Sequence, residues 1–75
     1  MTAPRNLLAR IADTLDAAHR CHTTGCLSAT ALAAIARLLQ LAKDHLANGC
    51  PVNAEWTYRA AARRLDRETA PRNEH

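Results

Sequence analysis

Between Ser28 and Gly49 the chain reads SATALAAIARLLQLAKDHLANG, its longest periodic apolar run. Leu32, Ile35, Leu39, Ala42 and Leu46 recur at spacings of 3, 4, 3 and 4. Such positions stack along one side of an α-helix, in a seam close to a coiled-coil repeat. Leu38 and Leu41 lie beside the seam and widen it, whereas Arg37, Gln40, Lys43 and Asp44 point elsewhere. Both ends carry stop and start signals. Ser28 is a good N-cap, and Leu27 can staple onto Leu32. Asn48-Gly49 supplies a left-handed stop, and Pro51 cannot continue the same helix. A helix is therefore predicted over about 29–48.

The same spacing organises the preceding stretch. Leu8, Ile11, Leu15, Ala18 and His22 form a seam with Leu7 alongside, which predicts a helix over about 5–21. Asp16 and Arg20 are an i,i+4 pair in the favourable order. Gly25 and two threonines break this helix, and so short a connection sets the two helices antiparallel. After Cys50-Pro51-Val52, Asn53 is a plausible N-cap for a third helix over about 54–68. Tyr58, Ala61, Ala62 and Leu65 share its core stripe, while Trp56 projects from nearly the opposite side among Arg59, Ala60, Arg63 and Arg67. Residues 1–4 and 69–75 lack periodicity and are expected to be disordered. The fold class is all-α, one three-helix domain built on an antiparallel hairpin of the first two helices.

Size makes that domain thin. Seventy-five residues give one domain, with ten Leu, two Ile and one Val as its large aliphatics. A chain of this length buries only ~60% of its unfolded surface, and its core rarely supplies more than ~3–5 kcal/mol. Alanine adds little area, and the third helix offers mainly Leu65, Tyr58 and alanines. Surplus apolar surface on the longest helix is therefore expected to pair with another copy through Leu32, Ile35, Leu39 and Leu46, giving a homodimeric bundle. Alanines at Ala29, Ala33 and Ala36, and at Ala60–Ala62, permit close helix approach.

Charge and cysteine usage narrow the function classes. The net charge of +3 is mixed along the chain and is weaker than the footprint of a strong nucleic-acid binder. No run of 18 apolar residues is present, and MTAPRNLLAR lacks the apolar region of a secretion signal. Three cysteines, an odd number, read as free thiols in a reducing cytoplasm. Catalysis needs a concave site with convergent titratable groups, and three short helices leave little room for one. No enzymatic activity and no cofactor are expected.

Two constellations carry chemistry. His19, Cys21, His22 and Cys26 are four potential soft-metal ligands within eight residues. They lack a CxxC pair and a downstream HxxxH, and small cysteines packed near a turn account for the same residues. His45 and Cys50 lie at the far end of a helix ~30 Å long, too distant to share an ion with Cys26 of the same chain. The second constellation is Trp56, Arg59, Arg63 and Arg67 on one face of the third helix. An aromatic among arginines is a common recognition surface for an acidic protein or for nucleic acid. The competing account is a solvated face in which Glu55–Arg59, Arg63–Asp66 and Arg64–Glu68 pair locally. A helix-turn-helix is disfavoured, because its first helix is usually short and here it runs about 20 residues.

Two segments resemble known families. LAKDHLANGC ends an Ala/Leu helix with His45 and Cys50 and is similar to the ligand-bearing helix end of the copper-sensing repressors. Those repressors space His and Cys one helical turn apart, whereas here they are five positions apart across a glycine. Leu41–Gly49 followed by Glu55–Leu65 is similar to the long helix, Asn/Gly break and Trp-containing helix of small needle co-chaperones of type III secretion. That resemblance implies a helical adaptor that binds a protein partner. The residues themselves point the same way, to a protein-interaction module acting as regulator, inhibitor or adaptor. A DNA-binding or metal-responsive regulator is the alternative.

Overall fold

The computed structural model describes residues 6–70, which form three helices in the order α1 (Leu7–Thr23), α2 (Ala29–Ala47) and α3 (Pro51–Thr69). The predicted disorder of residues 1–4 and 71–75 lies outside the described residues. Thr69, expected in the tail, closes α3.

Each start and stop has a local cause. The Asn6 side chain accepts from Ala9 N at 2.8 Å and caps α1. The Ser28 hydroxyl accepts from Ala31 N at 3.1 Å and caps α2, as its sequence position predicts. Both α1 and α2 end in the same device. Gly25 (φ 86°) and Gly49 (φ 76°) follow Thr24 and Asn48 in the left-handed region. Gly25 N donates to His22 O and Cys26 N to Cys21 O; in the second copy Gly49 N donates to Leu46 O and Cys50 N to His45 O. These paired bonds are the Schellman arrangement, which satisfies the last carbonyls of a helix.

The third helix begins earlier than expected. Its N-cap is Cys50, and Pro51 occupies the first helical position, where a fixed φ favours the helix and a missing N–H costs nothing. Asn53 is inside the first turns, with its carbonyl accepting from Thr57 Oγ1 at 2.8 Å. It is not the cap. The residue that ends α2 by exclusion thus starts α3 by preference.

The core is built around α2. Ile11 and Ala18 of α1, Leu27 of the turn, Ala31, Ile35, Leu39 and Ala42 of α2, and Ala61 of α3 form one buried cluster. Ile35 and Leu39 are 0% and 1% exposed. Burial of each such side chain stabilises by about 1.5–3 kcal/mol. Leu32, Leu38 and Leu46 pack partly against this cluster. Of the four residues expected to form a self-association seam on α2, Ile35 and Leu39 are enclosed by the chain's own helices, and Leu32 and Leu46 are half-covered by the same core. The α1 seam also shifts. Leu7 joins the core and Leu8 faces outward, and Cys21 rather than exposed His22 packs at the far end.

The most extensive helix contact is between α2 and α3 rather than within the predicted α1–α2 hairpin. Ala54 and Ala61 of α3 are fully buried, and side chains this small bring the two backbones close. Among the alanines expected to allow close approach, Ala61 does so, while Ala29, Ala33 and Ala60 are exposed. The contact between α1 and α3 is smaller and polar. Arg10 reaches Glu55, and one turn further along each helix Thr14 Oγ1 lies 3.1 Å from Tyr58 Oη. Both chain numbers rise together, so α1 and α3 run in the same direction, with α2 reversed between them. Among the described residues no helix is long and apolar enough to cross a membrane.

Candidate functional site

The outer face of α3 is the most chemically distinctive surface of the molecule. Trp56 is 64% exposed and Val52, one turn before it, 68%. Together with Pro51, Glu55 and Arg59 they line an open depression of about 310 Å³. Toward the C-terminus the same stripe continues through exposed Ala60, Arg63 and Arg67. From Val52 to Arg67 the stripe extends about 22 Å at the α-helical rise. Its first half is apolar and aromatic, its second half cationic.

Two of the arginines are engaged locally. Arg59 Nε donates to Glu55 Oε2 at 3.1 Å, and Arg64 Nε to Glu68 Oε2 at 3.1 Å, as the i,i+4 spacing predicts. The expected Arg63–Asp66 pair does not form. Among the described residues neither Arg63 nor Arg67 has an ion-pair partner, so both guanidinium groups face solvent uncompensated. The predicted Asp16–Arg20 pair forms on α1.

What aims the face is a contact that sequence reasoning did not find. Arg10 of α1 donates through both terminal nitrogens to the Glu55 carboxylate, at 3.3 and 3.2 Å. Its guanidinium also lies 4.7 Å from the Tyr58 ring centroid, within cation–π range. Glu55 therefore bridges Arg10 and Arg59. The hydrogen bond from Arg10 is the main reason its carboxyl is held below the ordinary value of 4.5, against an opposing effect of partial burial. The same bond raises Arg10 above its ordinary value. Beside this clamp Tyr58 packs partly against the core, and Trp56, two residues earlier and so on nearly the opposite side of the helix, faces outward. Glu55 is 45 residues from Arg10, and no local pattern links them. Pro51 and Val52 were also missed, because they were assigned to a turn. The available signal was the preference of proline for the first helical position, which makes Val52 and Trp56 i,i+4 neighbours.

The histidine and cysteine constellation is taken apart by the fold. His22 Nδ1 donates to the Leu27 carbonyl at 2.8 Å, spanning the turn. Cys21 packs partly against the core, Cys26 is exposed, and Thr24 Oγ1 lies 3.6 Å from Cys26 Sγ. His19 is exposed on α1. Among the described residues no group of three or more His, Cys, Asp or Glu side chains is placed to hold a metal ion. His19, Cys21, His22 and Cys26 thus do not converge as a ligand set. The two histidines are what the set lacks: His22 is engaged by the Leu27 carbonyl, and His19 lies exposed on α1.

A second exposed apolar position is Leu41, which with Arg37, Leu38, Gln40 and Asp44 lines an open depression on α2. Leu41 was expected to widen the core seam. It lies instead on the outer side of α2.

Comparison with protein-family models, with curated proteins and with solved structures returns no match.

Proposed function

We propose that the chain is a protein-interaction module, a small cytoplasmic regulator, inhibitor or adaptor that works by placing the α3 face against a partner protein. The observation that carries this reading is Trp56, with two-thirds of its surface in solvent and Val52 beside it. Large apolar side chains in solvent are costly to expose, and tryptophan and arginine dominate the energetics of protein interfaces. Neither side chain is needed to fill the core, which closes on Ile11, Ile35 and Leu39. Arg59, Arg63 and Arg67 flank the aromatic shelf and supply donors for carboxylates or carbonyls on the partner.

The test is site-specific photo-crosslinking from position 60, on the stripe, compared with position 33, exposed on α2. The reading expects a protein captured from position 60 only, and lost in the double variant Trp56→Ala/Arg63→Ala while far-UV circular dichroism stays unchanged. Equal capture from both positions, or unfolding of the double variant, overturns it. A duplex DNA shift at low salt that disappears in Arg63→Ala/Arg67→Ala replaces it with nucleic-acid recognition.

A further inference from the structure

Cys21 and Cys26 occupy a specific pair of positions in the turn between α1 and α2. In the Schellman arrangement they are the two residues whose side chains commonly meet across the cap. The Cys26 N–H donates to the Cys21 carbonyl oxygen at 2.8 Å. Adding ~2.4 Å from Cα to its carbonyl oxygen and ~1.5 Å from N to Cα, the two Cα atoms are at most ~6.7 Å apart, inside the ~6.8 Å reach of a disulfide. The Thr24 hydroxyl ties the same two residues together, 3.1 Å from the Cys21 carbonyl oxygen and 3.6 Å from Cys26 Sγ. Cys26 is exposed and Cys21 is half-buried, so Cys26 is the thiol more open to reagents.

We propose that Cys21 and Cys26 form a reversible disulfide site that locks the end of α1 to the turn leading into α2. The co-reactant is a small disulfide of the oxidised-glutathione class. The Cys26 thiolate, its proton given to solvent, attacks one glutathione sulfur. The S–S bond of the reagent breaks, one glutathione leaves as thiolate and is protonated, and a mixed disulfide remains on Cys26. The Cys21 thiolate then attacks Cys26 Sγ and expels the second glutathione. Two protein thiols are oxidised and one glutathione disulfide is reduced to two thiols. Cys50 provides an internal comparison. It sits at the same position of the second Schellman turn, but there the facing residue is His45, so Cys50 has no local thiol to resolve its mixed disulfide.

The experiment equilibrates the full chain with oxidised glutathione in excess over reduced glutathione, alkylates remaining thiols under denaturing conditions and digests with trypsin. Cleavage after Arg20 and Arg37 releases residues 21–37 with both thiols, and cleavage after Lys43 and Arg59 releases residues 44–59 with Cys50 alone. The expected result is a 21–37 peptide lighter by two hydrogens, unalkylated and restored by dithiothreitol, with Cys50 either alkylated or glutathionylated. Oxidation should raise Tm by roughly 5 °C, and the rise should be absent in Cys26→Ser, whose exposed position spares the fold. Alkylation of both thiols, a stable glutathione adduct on the 21–37 peptide, a disulfide between chains, or an unchanged or lowered Tm would each overturn the proposal.

Discussion

Glu55 joins the α1–α3 clamp to pH. Its carboxyl is held below the ordinary 4.5 by hydrogen bonds from two guanidinium groups, that of Arg10 first. The sign follows from linkage: a carboxylate whose folded value is depressed contributes stability that is complete above the unfolded value and fades as pH falls through the folded one. Thermal melts should therefore lose Tm below about pH 4.5 by more in the native chain than in Glu55→Gln. Parallel curves for the two proteins would remove the clamp from the account. Trp56→Ala belongs to the same scale with the opposite expectation. An exposed side chain away from the core changes stability by no more than about 0.5 kcal/mol, so urea midpoints should barely move while partner capture is lost. Trp56, Arg59, Arg63 and Arg67 were readable as one exposed stripe from helical periodicity alone. The orientation of that stripe was not, because Arg10 and Tyr58, which set it, meet only across the fold.

At the scale of the element, the ends of helices decide more than their middles. Gly25 and Gly49 have open space around the position a Cβ would take, so crowding is no obstacle to alanine there. Their positive φ is the obstacle, and a left-handed L-residue costs roughly 1–2 kcal/mol. Gly25→Ala and Gly49→Ala should each lower stability by about that much, with asparagine milder than alanine. Equal stability of the alanine and asparagine variants would argue against the φ explanation. Ser28→Ala removes the acceptor for Ala31 N and should cost about 1 kcal/mol in chemical denaturation. These caps were legible in the sequence, since they act within five residues. The start of α3 was misread because Asn53 is a capping residue type two places beyond Pro51. The stronger constraint was the proline ring, which is already set for a helix at its first position.

At the scale of the whole molecule, a core whose fully buried large side chains are Ile11, Ile35 and Leu39 has little redundancy. Truncating a buried isoleucine or leucine to alanine costs ~2–5 kcal/mol, as much as a domain of this size commonly possesses. Ile35→Ala and Leu39→Ala are expected to unfold at 25 °C by circular dichroism, whereas Leu46→Ala, only half-buried, should stay folded with a lower Tm. Because Ile35 and Leu39 are covered within one chain, Tm should be independent of protein concentration over a hundredfold range. A Tm that climbs with concentration would mean that a second copy completes the core.

The sequence by itself determined three helices, their turns and the exposed arginine and tryptophan stripe. Each depends on interactions within a few residues: the 3.6-residue period, the capping side chains and the left-handed glycines. Which leucines are covered and how α3 sits against its neighbours were decided only by tertiary structure. Periodicity marks a face as apolar without naming what covers it. In the packed molecule the small Ala54 and Ala61 of α3 are fully buried and Ile35 and Leu39 are enclosed, while Leu8 and Leu41 stay outside. The Arg10–Glu55 bond is likewise tertiary, since a pair 45 residues apart has no meaning until the helices are packed.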